Sequence, residues 1–468
     1  MTDTHLPLNI EPVDVSNQLV SVVIESDPGQ EAITSRYIRV HSVEGQESIS
    51  QPYQLSVELR ADDTSEAGVT LDSTIIGRWL KVQIQMPKVS QYSPRYFRGV
   101  ITELAMGAPG VYTLTIQSPL HLLTLRNNYY IYSNCDVRHL ILQLLSQELL
   151  DPRFSVRFDF SNSPTLTRTQ DWMQAGETHF DMLQRILGKA FINFFFIHEE
   201  HQLTLVFSDK TTTPDTVSIP GYHQGPIPLR YTFSSVEPLR SLQYDAFAEL
   251  HYSMKMMPGR VNTMLNQVDP QWKDNTVATY RSYLAQSGSP PSTGKGNLNF
   301  HHHWNYDYGV NDAEAQDQAM KIRQQIATEA GTLTGTVYTP LLSPGYCFHL
   351  ANPLLDDDRV EGKGRPEFDD QIYVVTKIQH KISNETGYTG SVEATSVSVG
   401  GQQQDQTYLT PFSIQNTQQG SVLAKVLDHE KPVGWRYRSK NNFQPEKGQV
   451  FLRAAFSLLA SAMVKPVV

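Results

Sequence analysis

The 468-residue sequence predicts an α+β fold that is mainly β: two related small β-barrels, helices and hairpins between them, and a short C-terminal β segment. Three observations predict it. Runs of alternating apolar and polar residues, punctuated by Gly, Pro, Ser and Asp, fill residues 19–118 and return at 332–399. Two amphipathic segments with capping residues lie between those runs. Finally, three strand-like segments near the start are echoed in the same order near the end.

Residues 1–18 read as a flexible polar arm. Residues 19–125 read as the first barrel, from "LVSVVIE", "YIRVHSVEG", "YQLSVELRA", "WLKVQIQM", "RYFRGVITELAM" and "VYTLTIQS". A helix/strand domain is expected over 126–238. In it Asp136 caps a helix with the stripe Val137, Leu140, Ile141, Leu144 and Leu145. Thr178 caps a second, with Asp181 at capping-box distance and Phe180, Leu183, Ile186 and Leu187 toward the core.

"INFFFIHEEHQLTLVFSD", residues 192–209, follows directly. His198, Glu199, Glu200 and His201 suggest a zinc hydrolase, but the H-E-x-x-H signature needs its histidines four apart on a helix. Here they are three apart, and period-two alternation flanks them. The segment reads as two strands joined by a polar tip.

Residues 239–311 read as a connecting region, polar and loop-rich over 258–311, with "SGSPPSTGKGN" its flexible loop. Residues 312–399 supply a long helix, from Asp312 to about Ala330 with Gly331 ending it, and then the second barrel. "GGQQQDQ" opens a linker over 400–420, and 421–468 form the last β segment.

The echo pairs Gly77-Arg-Trp-Leu-Lys-Val, "VITEL" (100–104) and "YTLTIQ" (112–117) with Gly345-Tyr-Cys-Phe-His-Leu, "VVTKI" (374–378) and "YTGSVE" (388–393). Each set has a glycine before an alternating strand, then V-[IV]-T-[EK]-[LI], then a strand opened by Tyr-Thr. Duplication is favoured over two unrelated hairpins. A trimer of such chains would show six barrels, a ring able to dock on a sixfold partner.

A net charge of -10 without a basic block argues against nucleic acid as partner. Two distant cysteines, Cys135 and Cys347, make no disulfide framework. No Sec-type signal and no stable membrane span is visible, so export would need another machine.

Other candidates favour structural readings. His301, His302 and His303, beside Trp304, Tyr306 and Tyr308, suit a surface or interface loop better than a metal site. Asp356, Asp357 and Asp358 with Glu361 lack the register of a calcium loop. Cys347 reads as a small buried hydrophobe. No catalytic, cofactor-binding or metal-ligating residue is expected. The contrasting class is an enzyme: a metal-dependent hydrolase using His198 and His201, or a carbohydrate-active protein using loop 258–311.

The order of segments resembles the N-terminal hub region of VgrG proteins, spikes of the type VI secretion system related to phage baseplate hubs. The resemblance rests on "YIRVHSVEGQESISQPYQLSVELRADD", "IIGRWLKVQI", "RYFRGVITELAM", "YTLTIQSPLHLLTLRNNYYIYSNCDVRHLILQLL", "DWMQAGETHFDMLQRILGKAFINFFFIHEEHQLTLVFSD" and "QIYVVTKIQHKI". It implies a phage-hub-like fold and a homotrimer that adapts a hexameric tube protein to a trimeric tip. Baseplate proteins and spike-tip or effector proteins are the other implied partners. The chain would be cytoplasmic during assembly and then translocated or secreted by the injection machine. A phage or phage-tail-like baseplate hub is the alternative. Family members continue into an oligonucleotide-binding-type barrel and a β-helical needle, so 421–468 is expected to be a truncated or partial barrel. It should be dispensable for folding of residues 1–400.

Overall fold

A computed structural model of the chain describes residues 19–34, 37–61, 70–85, 94–160, 164–209, 226–232, 246–254, 331–351 and 372–396, with separate strand and helix positions between 260 and 325 and between 398 and 466. The predicted arm, residues 1–18, lies outside the described residues, as do Asp356 to Asp358, Glu361 and Tyr308.

The first barrel comprises β1 (Val20–Ile24), β2 (Ile38–Ser48), β3 (Gln54–Ala61), β4 (Trp79–Ile84), β5 (Arg95–Met106) and β6 (Val111–Gln117). Their inward positions alternate as the pattern requires, so Val20, Val22 and Ile24 are all buried. The next region holds β7 (Asn127–Cys135), α1 (Val137–Leu144), β8 (Phe154–Asp159), the short α2 (Pro164–Thr167), β9 (Gln170–Thr178) and α3 (His179–Ala190). Asp136 caps α1 by accepting from the His139 N–H at 2.7 Å. Thr178 and Asp181 form the predicted capping box on α3. Both predicted apolar stripes are buried.

The hairpin follows as β10 (Asn193–His198) and β11 (Leu203–Ser208), with β8 parallel to β11 on the far side. Beyond it lie β12 (Ile227–Tyr231), β13 (Ala246–Met254), β14 (Arg260–Val268), β15 (Tyr280–Ser287) and β16 (His301–Tyr306). Then come β17 (Gly331–Val337), β18 (Cys347–Ala351), β19 (Ile372–Ser383) and β20 (Gly387–Ser396). Short strands end the series: β21 (Ser398–Val399), β22 (Gln402–Gln403), β23 (Ser421–Val426), β24 (Gln449–Arg453) and β25 (Val464–Pro466).

The second barrel is β12, β13, β17, β18, β19 and β20, closed by the β19–β20 ladder. Numbered by chain order within each barrel, both sets run 1-4-5-6-3-2 in space. The two are fused edge to edge by an antiparallel ladder from Lys377↔Ser48 to Ser383↔Ser42.

The echo extends to single hydrogen bonds. Gly77 N donates to Ile101 O at 2.8 Å, and Gly345 N to Val375 O at 2.9 Å. Both glycines have positive φ, 92° and 84°. Ile101 N returns to Arg78 O, and Val375 N to Tyr346 O. Each V-x-T-x-x strand then carries a bulge at its threonine. Thr102 Oγ1 donates to Thr115 O, and Thr376 Oγ1 to Glu393 O, which are matching positions across the ladder.

That register corrects one detail. Glu103 pairs with Thr115 and Lys377 with Glu393, so Tyr112 corresponds to Gly390 rather than Tyr388. The Tyr-Thr openings are two residues out of step, and they looked equivalent because a two-residue slip preserves which face each side chain occupies.

Three further readings change. β12 and β13 fall in the segments read as helix/strand domain (126–238) and connecting region (239–311), yet the second barrel takes both. That barrel is therefore discontinuous in sequence. Residues 258–311, loop-rich by composition, contain the three-stranded sheet β15-β14-β16. His301, His302 and His303 lie on β16. Within the segment read as linker, β22 pairs with β21. Of the predicted helix 312–330, the described positions Ala319, Lys321, Ile322 and Gln325 are helical, and Ala319 and Ile322 are buried. Residues 421–468 contain a three-stranded sheet, β24-β23-β25.

Candidate functional site

β10 is buried along its whole length. Phe194 and Phe196 join the main core, whereas Phe195 and Ile197 pack with Val206 and Tyr346 on the opposite face. Tyr346 belongs to the turn before β18, where Gly345 faces the Phe195 ring so closely that a Cβ would stand 3.0 Å from it. The corner after β2 makes the other contact: Ser50 N donates to Phe194 O at 2.8 Å, and Ile49 N to Thr376 O at 2.9 Å. The hairpin is thus wedged where the two barrels meet.

A buried polar junction sits at the end of that wedge. Glu47 projects inward from β2, His198 from the end of β10, and His380 from β19. Glu47 Oε1 lies 3.0 Å from His198 Nε2, and Glu47 Oε2 lies 3.0 Å from His380 Nε2. The backbone N–H of Arg98 donates to His198 Nδ1 at 3.1 Å. This makes Nδ1 the acceptor and leaves Nε2–H to donate to the carboxylate. His380 Nδ1 is 2.8 Å from the Tyr388 hydroxyl. Ser343 Oγ and Arg95 approach Glu47 Oε2 at 3.5 and 3.9 Å. The Phe97 ring covers both imidazoles, at centroid distances of 5.4 and 4.9 Å.

Burial alone would raise the Glu47 carboxyl, but hydrogen bonds and charge interactions with His198 and His380 outweigh it and hold it well below the ordinary range. Burial lowers His198 despite the neighbouring carboxylate, so its imidazole is neutral at pH 7. Burial pushes the Tyr388 hydroxyl far up and keeps it protonated. The result is a carboxylate with both oxygens occupied and no face open to solvent. It can join three chain segments; it has no room for a substrate.

A more exposed charge cluster braces the rim. Arg98 grips both carboxylate oxygens of Glu25 at 2.6 Å and donates to Glu200 O in the hairpin turn. Arg153 reaches Asp27 at 2.9 Å and Asp151 at 2.7 Å.

His198 is therefore no part of a polar tip: it is 3% exposed, whereas Glu199, Glu200 and His201 are outside. The His201 side chain is 85% exposed, and both ring nitrogens of His198 are already engaged, so the two histidines do not form a ligand pair. Among the described residues no group of three His, Cys, Asp or Glu could hold a metal ion. Cys347 is buried on β18, and Cys135 is buried at the end of β7. Sequence reasoning missed Glu47 and His380, although a signal existed. Period-two counting from Val43 reaches Gly45 and Glu47, and counting from Ile378 reaches His380 and Ile382.

The sequence profile of the phage tail baseplate hub family (GPD) matches residues 46–386, from the residue before Glu47 to the turn after β19. The chain belongs to that family. This hub is 25% identical over 396 residues to the type VI secretion system spike protein VgrG1c of Pseudomonas aeruginosa, covering 81% of the chain and 46% of that protein. It is 24% identical over 285 residues to VgrG1b of the same organism, covering 58% of the chain and 34% of that protein. The hub thus spans less than half the length of these relatives.

Its fold matches an E. coli component of the type VI secretion system, described as similar to the T4 bacteriophage tail proteins gp27 and gp5. The TM-score is 0.54 at 16% identity, over 88% of this chain and 90% of that one. A tail protein from Neisseria meningitidis MC58 matches with a TM-score of 0.51 at 12% identity, over 85% and 99%.

Proposed function

We propose that this chain is a structural hub of a contractile injection machine of the type VI secretion kind, which adapts a hexameric tube to a trimeric tip. One observation carries the reading: a six-stranded unit occurs twice in the same strand order, joined by a ladder between β2 and β19. Three copies around a threefold axis would present six similar units to a sixfold ring. Baseplate proteins would hold the periphery, and spike-tip or effector proteins would occupy the tip. The chain works by assembly rather than catalysis, a reading supported by the closed Glu47 junction and by the separation of His198 from His201. Export would be by the machine itself; among the described residues no helix is long and apolar enough to cross a membrane.

Light scattering tests the stoichiometry, and a stable monomer would sink the trimer. Elemental analysis tests the non-enzymatic reading: stoichiometric zinc that disappears in a His198→Ala/His201→Ala variant would overturn it. A phage-tail-like baseplate hub is the second reading, favoured by the fold match to a tail protein. Capture of a type VI tube protein rather than a phage tail tube protein separates the two.

A further inference from the structure

The junction's two imidazoles are not equivalent. His198 has no uncommitted nitrogen: Nδ1 accepts from Arg98 N–H, and Nε2 faces Glu47. A second proton can enter only at Nδ1, where it would set one N–H against another at 3.1 Å. That contact has to break. His380 differs, because its Nδ1 faces the Tyr388 hydroxyl, which can rotate from donor to acceptor. One ring tolerates a proton in place; the other does not.

We propose that Glu47, His198 and His380 form an acid-sensitive latch, which holds the hairpin between the two barrels at neutral pH and lets go of β5 when His198 is protonated. The latch joins β2 and β5 of the first barrel, the hairpin, and β19 of the second. The charged groups facing His198 are Glu47 from β2, Arg95 from β5 and His380 from β19, while Arg98 of β5 presents only its backbone N–H to the ring. Tyr53 packs on its ring at 4.9 Å, and the hydroxyls of Tyr388 and Ser343 lie behind His380 and Glu47. On its own hairpin Glu199 and Glu200 point outward. Glu47 favours the imidazolium, while burial and Arg95 oppose it and prevail.

The sign follows. His198 titrates lower in the folded than in the unfolded chain, where a histidine titrates near about 6.5. Its contribution to stability is complete above that pH and declines as pH falls below it. Glu47 is held below its ordinary value of 4.5, so its contribution begins to fade only below about that pH. Between these limits Glu47 stays ionised, and protonation of His198 breaks its contact with the Arg98 N–H.

Amide hydrogen exchange on the full chain tests the latch, with Arg98 as reporter and Leu114 in β6 as the internal core reference. From about pH 7 to about pH 5, protection of the Arg98 amide should fall about tenfold relative to Leu114, the effect of one pH unit of coupled protonation. His198→Asn offers Arg98 an acceptor that cannot titrate and should abolish the fall, whereas His380→Gln should keep it. Flat Arg98 protection in the unaltered protein overturns the proposal without any variant. A fall that persists in His198→Asn, or that vanishes only in His380→Gln, overturns it as well.

Discussion

The two barrels share a strand order and differ in how they are closed. In the first, β1 runs antiparallel to β4, and among the described residues no ladder joins β1 to β2. In the second, β12 is parallel to both β18 and β13, and every neighbouring pair around the ring is laddered. The first barrel takes its six strands from residues 20–117; the second spreads its six over 227–396. Antiparallel neighbours need only short turns, whereas parallel neighbours need long connections. Reversing one strand therefore goes with a chain that leaves the barrel and returns. The difference teaches that the turn-bulge-strand kernel is what the two barrels share, and that the first strand is where they diverge.

Equivalent positions in that kernel also have unequal fates, and substitutions can sharpen or break the comparison. The largest effect is expected outside the kernel, at the junction. Glu47→Ala would leave two buried imidazoles without their acceptor and Arg95 without its counter-charge. A loss of roughly 3–5 kcal/mol in urea unfolding is expected; a loss below about 1 kcal/mol would show that the junction does not hold the barrels.

Next is a matched pair. His380 corresponds by register to Met106, one buried and the other 65% exposed. His380→Ala strands the Tyr388 hydroxyl and one Glu47 oxygen and should cost about 1–3 kcal/mol, against less than about 0.5 kcal/mol for Met106→Ala. Calorimetric midpoints that move equally would refute the claim that the junction sets these two equivalent positions apart.

The glycines come third. Gly345→Ala meets both positive φ and the Phe195 ring, whereas Gly77→Ala meets positive φ with nothing within 4 Å. About 1–2 kcal/mol is expected at Gly77, with an overpacking penalty of roughly 1–3 kcal/mol added at Gly345. Guanidinium titrations giving the reverse order would mean that the hairpin is not wedged against that turn. The smallest effects should be the most alike. Thr102→Val and Thr376→Val each remove the same bulge hydrogen bond, and each should cost about 0.5–1 kcal/mol. Values differing by more than the bond itself is worth would weaken the duplication.

Much of the fold was legible because strand text is local. Alternation around Val20, Leu80 and Leu114 marks inward positions without any knowledge of partners, and the caps at Asp136 and Thr178 need only their own first turns. The site was less legible. The four letters H-E-E-H drew attention to the turn, where Glu199, Glu200 and His201 are solvated. Yet His198 continues the inward series of Phe194 and Phe196 and belongs to the core.

By itself the sequence determined the alternating strands, the two capped helices, the β-hairpin at 192–209 and the paired kernels at 77–117 and 345–393. Each of these rests on side-chain periodicity or on hydrogen bonds between near neighbours in the chain. Only the tertiary structure decided that β12 and β13 complete the second barrel, that β2 pairs with β19, and that Glu47 meets two imidazoles 151 and 333 residues away. A carboxylate at an inward strand position is unfavourable until its partners arrive. Those partners come from separate segments brought together by packing the barrels, and nothing local to residue 47 specifies them.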